Sequence, residues 1–237
     1  MEKTFNQKKK LVFPQEITYV LSLIILSFAV SMTVVADFGV SMIVAPAYIL
    51  SLKIDFLSFG LAEYVVQAVL IILLCILVRK LKFVFLFSFL TCIVYGLVLD
   101  LWGNIIPLFN PAVINPASLE MWQRILLFIG GVLLTGFSVA LSFKTYLYPQ
   151  VYDFFVQKLT TSFNVKLSII KTIFDFSMLA LAVILTLVFF GGFRGIGIGT
   201  VIMTCINGFI IGFFSKLLDR LFDFKPLWKK GSALFND

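Results

Sequence analysis

Six stretches of the chain stay apolar for about 20 residues, the length an α-helix needs to cross about 30 Å of hydrocarbon. They fall at 17–36, 57–78, 83–102, 125–143, 172–190 and 196–218, and each predicts a transmembrane helix. Lysines precede the first, and Val34-Val35-Ala36 would serve as a signal-peptide cleavage site. Its apolar run is longer than a signal core, which predicts an uncleaved first helix. Two further stretches, 40–52 and 146–159, are apolar but short. Such a segment makes only roughly 20 Å of helix, and the second carries Pro149, Gln150, Asp153 and Gln157 among aromatics. Both read as re-entrant or interfacial helices.

The positive-inside rule supports that reading. With six spans and the N-terminus inside, 16 of the 19 Lys and Arg residues fall inside, and only Lys53, Arg124 and Arg194 lie outside. If the two short segments also crossed, the split would weaken to 14 against 5, and the Arg79-Lys80-Leu81-Lys82 turn would move outside. Six spans with both termini cytoplasmic are therefore expected.

Composition agrees and excludes several chemistries. The 237 residues are 61% hydrophobic and 13% charged, with a mean hydropathy of +1.08, against about 25% charged in soluble domains. There is no histidine, so a Ser/His/Asp triad, a His-ligated metal and an imidazole switch are ruled out. No nucleophile and base pair is apparent, and an enzyme is not expected. The net charge of +7 belongs to topology-setting gaps between spans, not to a nucleic-acid surface. Cys75, Cys92 and Cys205 all sit inside apolar runs, where they read as small packing residues. No cofactor is implied.

The two halves resemble each other. Thr91-Cys92-Ile93 recurs as Thr204-Cys205-Ile206, and Glu63 has a counterpart in Asp175, at offsets of 113 and 112 residues. Ser27-Phe28-Ala29-Val30 resembles Gly136-Phe137-Ser138-Val139 at an offset of 109. Each half reads as span, short segment, span, span. Three spans per half place the second copy upside down relative to the first, so the expected fold is an all-α integral membrane protein built as an inverted 3+3 repeat. Its parts are a basic cytoplasmic tail (1–14), repeat 1 (15–103), an extracytoplasmic loop (104–122), repeat 2 (123–221) and a cytoplasmic tail (222–237).

Some motifs look like a known family. Ala36-Asp37-Phe38-Gly39-Val40-Ser41 after the first span resembles the YczE/YitT-type bacterial multi-spanning proteins. So do Phe189-Phe190-Gly191-Gly192, then Gly195-Ile196-Gly197-Ile198-Gly199-Thr200, then Asn207-Gly208. The resemblance covers nearly all the chain apart from its tails. The short tail after Leu221 leaves no room for the soluble domain common in YitT-type members, which favours the YczE-like branch. The resemblance implies a bacterial cytoplasmic-membrane protein, often described with five spans, and supplies no substrate.

Ionisable side chains at depth cost about 2.5–3.5 kcal/mol on insertion scales, so each needs a partner or a task. Glu63, with Gln67 one turn on, and Asp175, with Lys171 one turn back, are the candidates for a pseudo-symmetric ion, proton or cationic-substrate site. Their structural alternative is that Asp175 pairs with Lys171 while Glu63 caps or pairs near the surface. Asn207, Thr91 and Thr204 add polar groups at depth, with Thr33, Ser31 and Ser138 as further hydroxyls. Gly195, Gly199, Gly208 and Gly212 read as close helix-packing positions. Gly195 to Thr200 mimics a phosphate loop, but no lysine follows and no strand precedes it. Asn110-Pro111-Ala112 and Asn115-Pro116-Ala117 repeat the aquaporin tripeptide, yet both lie in one loop and read as turns. Asp37 and Asp100, at span ends, read either as lining an outer vestibule or as solvated surface.

Inverted repeats with broken helices are a recurring plan of secondary transporters, with the site at the repeat interface. The expected function is a small-solute permease working by alternating access, its partners the lipid bilayer and an unidentified solute. Two other readings stay open: a substrate-binding subunit that recruits an ATPase module, and a non-transporting scaffold whose basic tail meets anionic lipid. A homo-oligomer is compatible with all three.

Overall fold

A computed structural model describes residues 10–79, 84–110 and 118–228. In chain order these form β1 (Leu11–Pro14), α1 (Gln15–Ala36), α2 (Ala45–Lys53), α3 (Phe59–Val78), α4 (Val84–Ile105), a 3-10 turn (Pro107–Phe109), α5 (Met121–Ser142), α6 (Val151–Phe163), α7 (Leu167–Phe190), α8 (Ile198–Leu221) and β2 (Phe222–Lys225). Six of these helices, α1, α3, α4, α5, α7 and α8, have 20 to 24 residues and are apolar enough to cross a membrane. The chain is a multi-pass membrane protein. The Asn-Pro-Ala turns fall largely at 111–117, outside the described residues, as does most of the basic turn at 80–83.

The two short segments are helical but displaced from their expected bounds. Ser41 to Val44 form a turn, and α2 begins only at Ala45, with Pro46 in its first turn where a missing N–H costs nothing. In the second short segment α6 starts after Pro149 and continues to Phe163, where Asn164 in the left-handed region ends it. Both are too short to span, at about 1.5 Å of rise per residue. Their interior residues are buried all the same: Ala45, Ala47, Ile49 and Val151 are fully enclosed.

Packing is organised around α1. Its inner face carries Thr18, Ser22, Ser27, Ser31 and Thr33, all buried, and each hydroxyl donates to a carbonyl of the chain one turn back. Being small and internally satisfied, these side chains let another helix come close. The partner is α5, where a Cβ added to Gly131 would stand 2.9 Å from the Ala29 carbonyl oxygen. Around this pair α4 packs on α1 and α8 on α5, while α2 packs on α3 and α7, and α6 on α3, α4 and α7. The outer faces are apolar, with Ile72, Leu86, Ile184 and Phe209 among many exposed side chains, as a lipid-facing surface requires.

Two ties close the molecule. After α1 the backbone of Phe38 to Val40 lies directly against that of Gly195 to Gly199: Val40 N–H donates to Gly195 O at 3.0 Å and Gly199 N–H to Phe38 O at 2.7 Å. Thr200 Oγ1 adds a bond to Val40 O at 2.7 Å. At the other tie β1 and β2 pair in parallel, Leu11 opposite Phe222, a strand pair the apolar pattern does not announce. Glu16 fastens it, its carboxylate accepting from Leu227 N–H at 3.0 Å, Trp228 N–H at 3.1 Å and Tyr146 OH at 2.8 Å. The two ends of the described chain thus lie side by side, which six crossings permit by returning both to one face.

The first tie generates a test. Gly39 has a positive φ of 98°, and a Cβ there would stand 2.4 Å from Gly197 N. Gly39→Ala should lower stability by about 1–3 kcal/mol, read as a fall in thermal unfolding midpoint in detergent. Gly208→Ala should leave the midpoint unchanged or raise it, since nothing lies within 4 Å of the added carbon.

Candidate functional site

A cavity of about 290 Å³ lies between the halves, bounded by α1, α4, α5, α6, α7, α8 and the turn before α2. Its walls are largely aliphatic, from Leu23, Val30, Val44, Val139, Met203 and others. Both short helices begin at it. Ser41 to Val44, leading into α2, line one part, and Pro149, Gln150, Tyr152 and Asp153, at the start of α6, line another. Lys171 also lines it and is itself 45% exposed, so the cavity reaches the surface there.

Seven buried side-chain polar atoms among the described residues have no hydrogen-bond partner, and five of them line this one cavity: Tyr95 OH, Thr135 Oγ1, Gln150 Nε2, Asp175 Oδ1 and Asn207 Oδ1. An unsatisfied buried polar atom costs about 1–3 kcal/mol, and native proteins keep few of them. Five of the seven belong to residues that line one cavity, which sets this cavity apart from the rest of the apolar interior. Lys171 Nζ stands 3.8 Å from Asp175 Oδ1 and 4.0 Å from Asp153 Oδ1, so one ammonium serves two carboxylates. No group of three His, Cys, Asp or Glu side chains among the described residues could hold a metal ion.

Glu63 lies elsewhere, behind the cavity wall. It is fully buried on α3, and its Oε2 accepts from Gln67 Nε2 at 2.9 Å and from Tyr152 OH at 2.7 Å. Gln67 in turn accepts the N–H of Val151, the first residue of α6, at 3.2 Å. The pair on α3 therefore holds the start of α6, while the other side of Tyr152 faces the cavity. Glu63 Oε1 has no partner.

The predicted site residues thus divide. Asp175, Asn207, Thr91 and Thr204 line the cavity, and Thr33 and Ser138 join them. Thr91 is bonded to Tyr19 and donates to Tyr148 O at 3.1 Å, which fixes the chain just before α6. Ser31 donates to Ser27 O within its own helix. Glu63 and Gln67 are bonded to each other but do not line the cavity, so Glu63 and Asp175 do not form one site. Glu63 is paired, as its structural alternative expects, but its partners are Gln67 and Tyr152 and it lies enclosed beneath α6. Asp175 does pair with Lys171, and Asp153, read only as polarity in an amphipathic segment, is the second carboxylate of that group. Tyr95 and Thr135 were missed, and Gln150, like Asp153, was read only as polarity in the second short segment. Each is an ordinary polar residue in sequence, and only the lack of a partner in the fold distinguishes it.

Two further expectations change. Gly195 and Gly199 are close-packing positions, against Tyr48 and against Phe38 and Phe128, but Gly208 and Gly212 face open space. Asp100 lines no vestibule: it accepts from Ser58 Oγ at 2.5 Å and Gly60 N–H at 2.8 Å, capping α3 from α4. Asp37 does line a second cavity, of about 610 Å³, together with Tyr48, Asn110 and Gly195 to Ile198. Arg124 holds it there through a 3.3 Å ion pair.

The Glu63 arrangement sets an order of stabilities. Glu63→Leu removes the acceptor of two buried donors, at about 1–3 kcal/mol each, whereas Glu63→Gln keeps one acceptor oxygen. Thermal unfolding in detergent should show a much larger loss for Leu than for Gln; equal losses would mean that Glu63 does not hold α6.

Comparison with known proteins matches residues 13–216 to a family model described as "Family of unknown function (DUF6198)". The chain is also 26% identical over 205 residues to the "Uncharacterized protein YyaS" of Bacillus subtilis (strain 168), covering 86% of this chain and 94% of the relative. No solved structure matches. With the family model covering β1 through most of α8, the chain belongs to the family of unknown function DUF6198.

Proposed function

We propose that the chain is a small-solute permease that works by alternating access around the cavity between its halves. The observation that carries this reading is the concentration of unpartnered buried polar atoms on one cavity at which both short helices begin. The halves act as an inverted repeat. In support, α1 packs on its counterpart α5, and α2 and α6 each pack on both α3 and α7. Segments 37–44 and 143–150 are then the descending arms of re-entrant hairpins, with α2 and α6 the helical returns. The YczE/YitT-type glycine pattern fits this plan, because its glycines are those at which Phe38 to Val40 meet Gly195 to Gly199.

On this reading the cavity opens to the cytoplasm at Lys171, and the Phe38 to Val40 tie is the closed outer gate, with the Asp37 cavity as the outer vestibule. Transport requires the tie to part and the start of α6 to close over the cavity, with Gln67 and Glu63 as its seat. The motive force is an ion or proton gradient, and Glu63 and Asp175 are the carboxylates that couple it. The protein resides in the cytoplasmic membrane with both termini inside.

A second reading, a substrate-binding subunit of an ATP-driven uptake system, is favoured by one feature. Of the six long helices α8 buries least, and beside Gly212 its face is open to another protein. Copurification with an ATPase module would support it.

The permease reading is tested in a background with Cys75, Cys92 and Cys205 replaced. A membrane-impermeant maleimide should label Asn207→Cys in inside-out vesicles and not in right-side-out ones, and Asp37→Cys the reverse. Labelling of Asn207→Cys from neither side would remove the cavity from any pathway. In proteoliposomes, Glu63→Gln with Asp175→Asn should abolish gradient-dependent uptake that the wild type supports; equal uptake would remove both carboxylates from the mechanism.

A further inference from the structure

The five atoms without a hydrogen bond differ in chemical sense, and one of them, Asp175 Oδ1, is also the atom that Lys171 Nζ approaches to 3.8 Å. Asp175 Oδ1 and Asn207 Oδ1 only accept, Tyr95 OH and Thr135 Oγ1 can accept, and Gln150 Nε2 alone must donate. Tyr95 and Thr135 are 1% and 8% exposed, so neither relies on bulk water. The charged side chains on the cavity are Asp153, Asp175 and Lys171, a surplus of one negative charge.

Two helix starts face the same space, and helix N-termini ordinarily attract anions. Here both are already engaged. The first N–H of α6, that of Val151, donates to Gln67 Oε1, and Asp153 places a carboxylate in the first turn. At α2 the N–H groups of Val44 and Ala45 both donate to Ser41 O, and Pro46 has none to give. The leading N–H groups at both starts are therefore engaged and Asp153 adds a negative charge beside one of them, while four of the five atoms without a hydrogen bond can accept. From this juxtaposition we propose that the cavity binds a small organic monocation, its charged nitrogen donating to Asp175, Asn207 and Tyr95 and its apolar body lying along the aliphatic wall. The proposal rests on the cavity being the binding site of the permease reading, and narrows what that site takes. The volume, about 290 Å³, is at the lower end of small-molecule sites, roughly 300–1,000 Å³. Lys171 Nζ beside both carboxylates is an internal competitor for the same charge.

The test compares four probes of similar length, n-butylammonium, n-butanol, butyrate and 4-aminobutyrate, added to the full chain purified in detergent, with the concentration dependence of the thermal unfolding midpoint as readout. Butylammonium should give a saturable rise at a concentration at least tenfold below any of the others. Asp175→Asn should weaken butylammonium at least tenfold and leave the weak effect of butanol unchanged. Lys171→Met, which removes the competitor, should tighten butylammonium several-fold, and this variant keeps the test alive if Asp175→Asn does not fold. A saturable effect of butyrate, butanol or 4-aminobutyrate at equal or lower concentration overturns the proposal. So does the lack of any saturable effect, or an unchanged constant in Lys171→Met. Flux in proteoliposomes separates the two readings: butylammonium bound but not carried upholds the ligand class and overturns the permease, and butyrate carried instead does the opposite.

Discussion

A buried backbone that leaves the helix loses the partners that a helix provides, and it must find each of them elsewhere. This chain does so twice, before α2 and before α6, and most of what is unusual in the structure supplies those partners. Phe38 and Val40 are satisfied by the backbone of Gly195 and Gly199 and by Thr200. Tyr148 and Pro149 give their carbonyls to Thr91 and Ser88, at 3.1 and 2.7 Å, and Val151 gives its N–H to Gln67. The glycines, hydroxyls and buried amide that interrupt otherwise apolar helices are placed where the broken backbone needs them.

Once these bonds are made, the halves are locked at those points and left unfilled between them. The polar atoms that are not spent on backbone repair gather on the cavity, and the distinction between repair and binding is visible atom by atom. Thr91 and Ser138 line the cavity yet give their hydroxyls to Tyr148 O and Ser22 O. Thr135, one turn from Ser138, gives its hydroxyl to no group among the described residues. The same residue types serve both purposes, so composition alone does not separate them.

That is also the limit of what the sequence could tell. The long helices were legible because a span is defined by a local run of apolar residues, and their observed bounds lie within a few residues of that run. Local spacing also revealed Glu63 beside Gln67 and Asp175 beside Lys171, since residues four apart share a helix face. What joins Glu63 to Tyr152, 89 positions away, or Glu16 to Leu227, 211 positions away, is tertiary, and no periodicity encodes it. The glycines show the same limit: Gly199 and Gly208 carry the same small-residue signal in one helix, and only the neighbour across the interface, present for one and missing for the other, separates them.

The strand pair at the ends of the chain gives the bundle a property that no single helix has. Because β1 lies beside β2 and Glu16 grips the segment that follows, the peptide connection between α4 and α5 is not the sole link between the halves. The paired ends add one more hydrogen-bonded link to those already made where Phe38 to Val40 meet Gly195 to Gly199 and where Gln67 and Glu63 hold the start of α6. Fastening the segment before α1 to the segment after α8 resists separation of the first and last spans at that end, which makes these flanking residues part of the mechanics of the fold and not mere overhang.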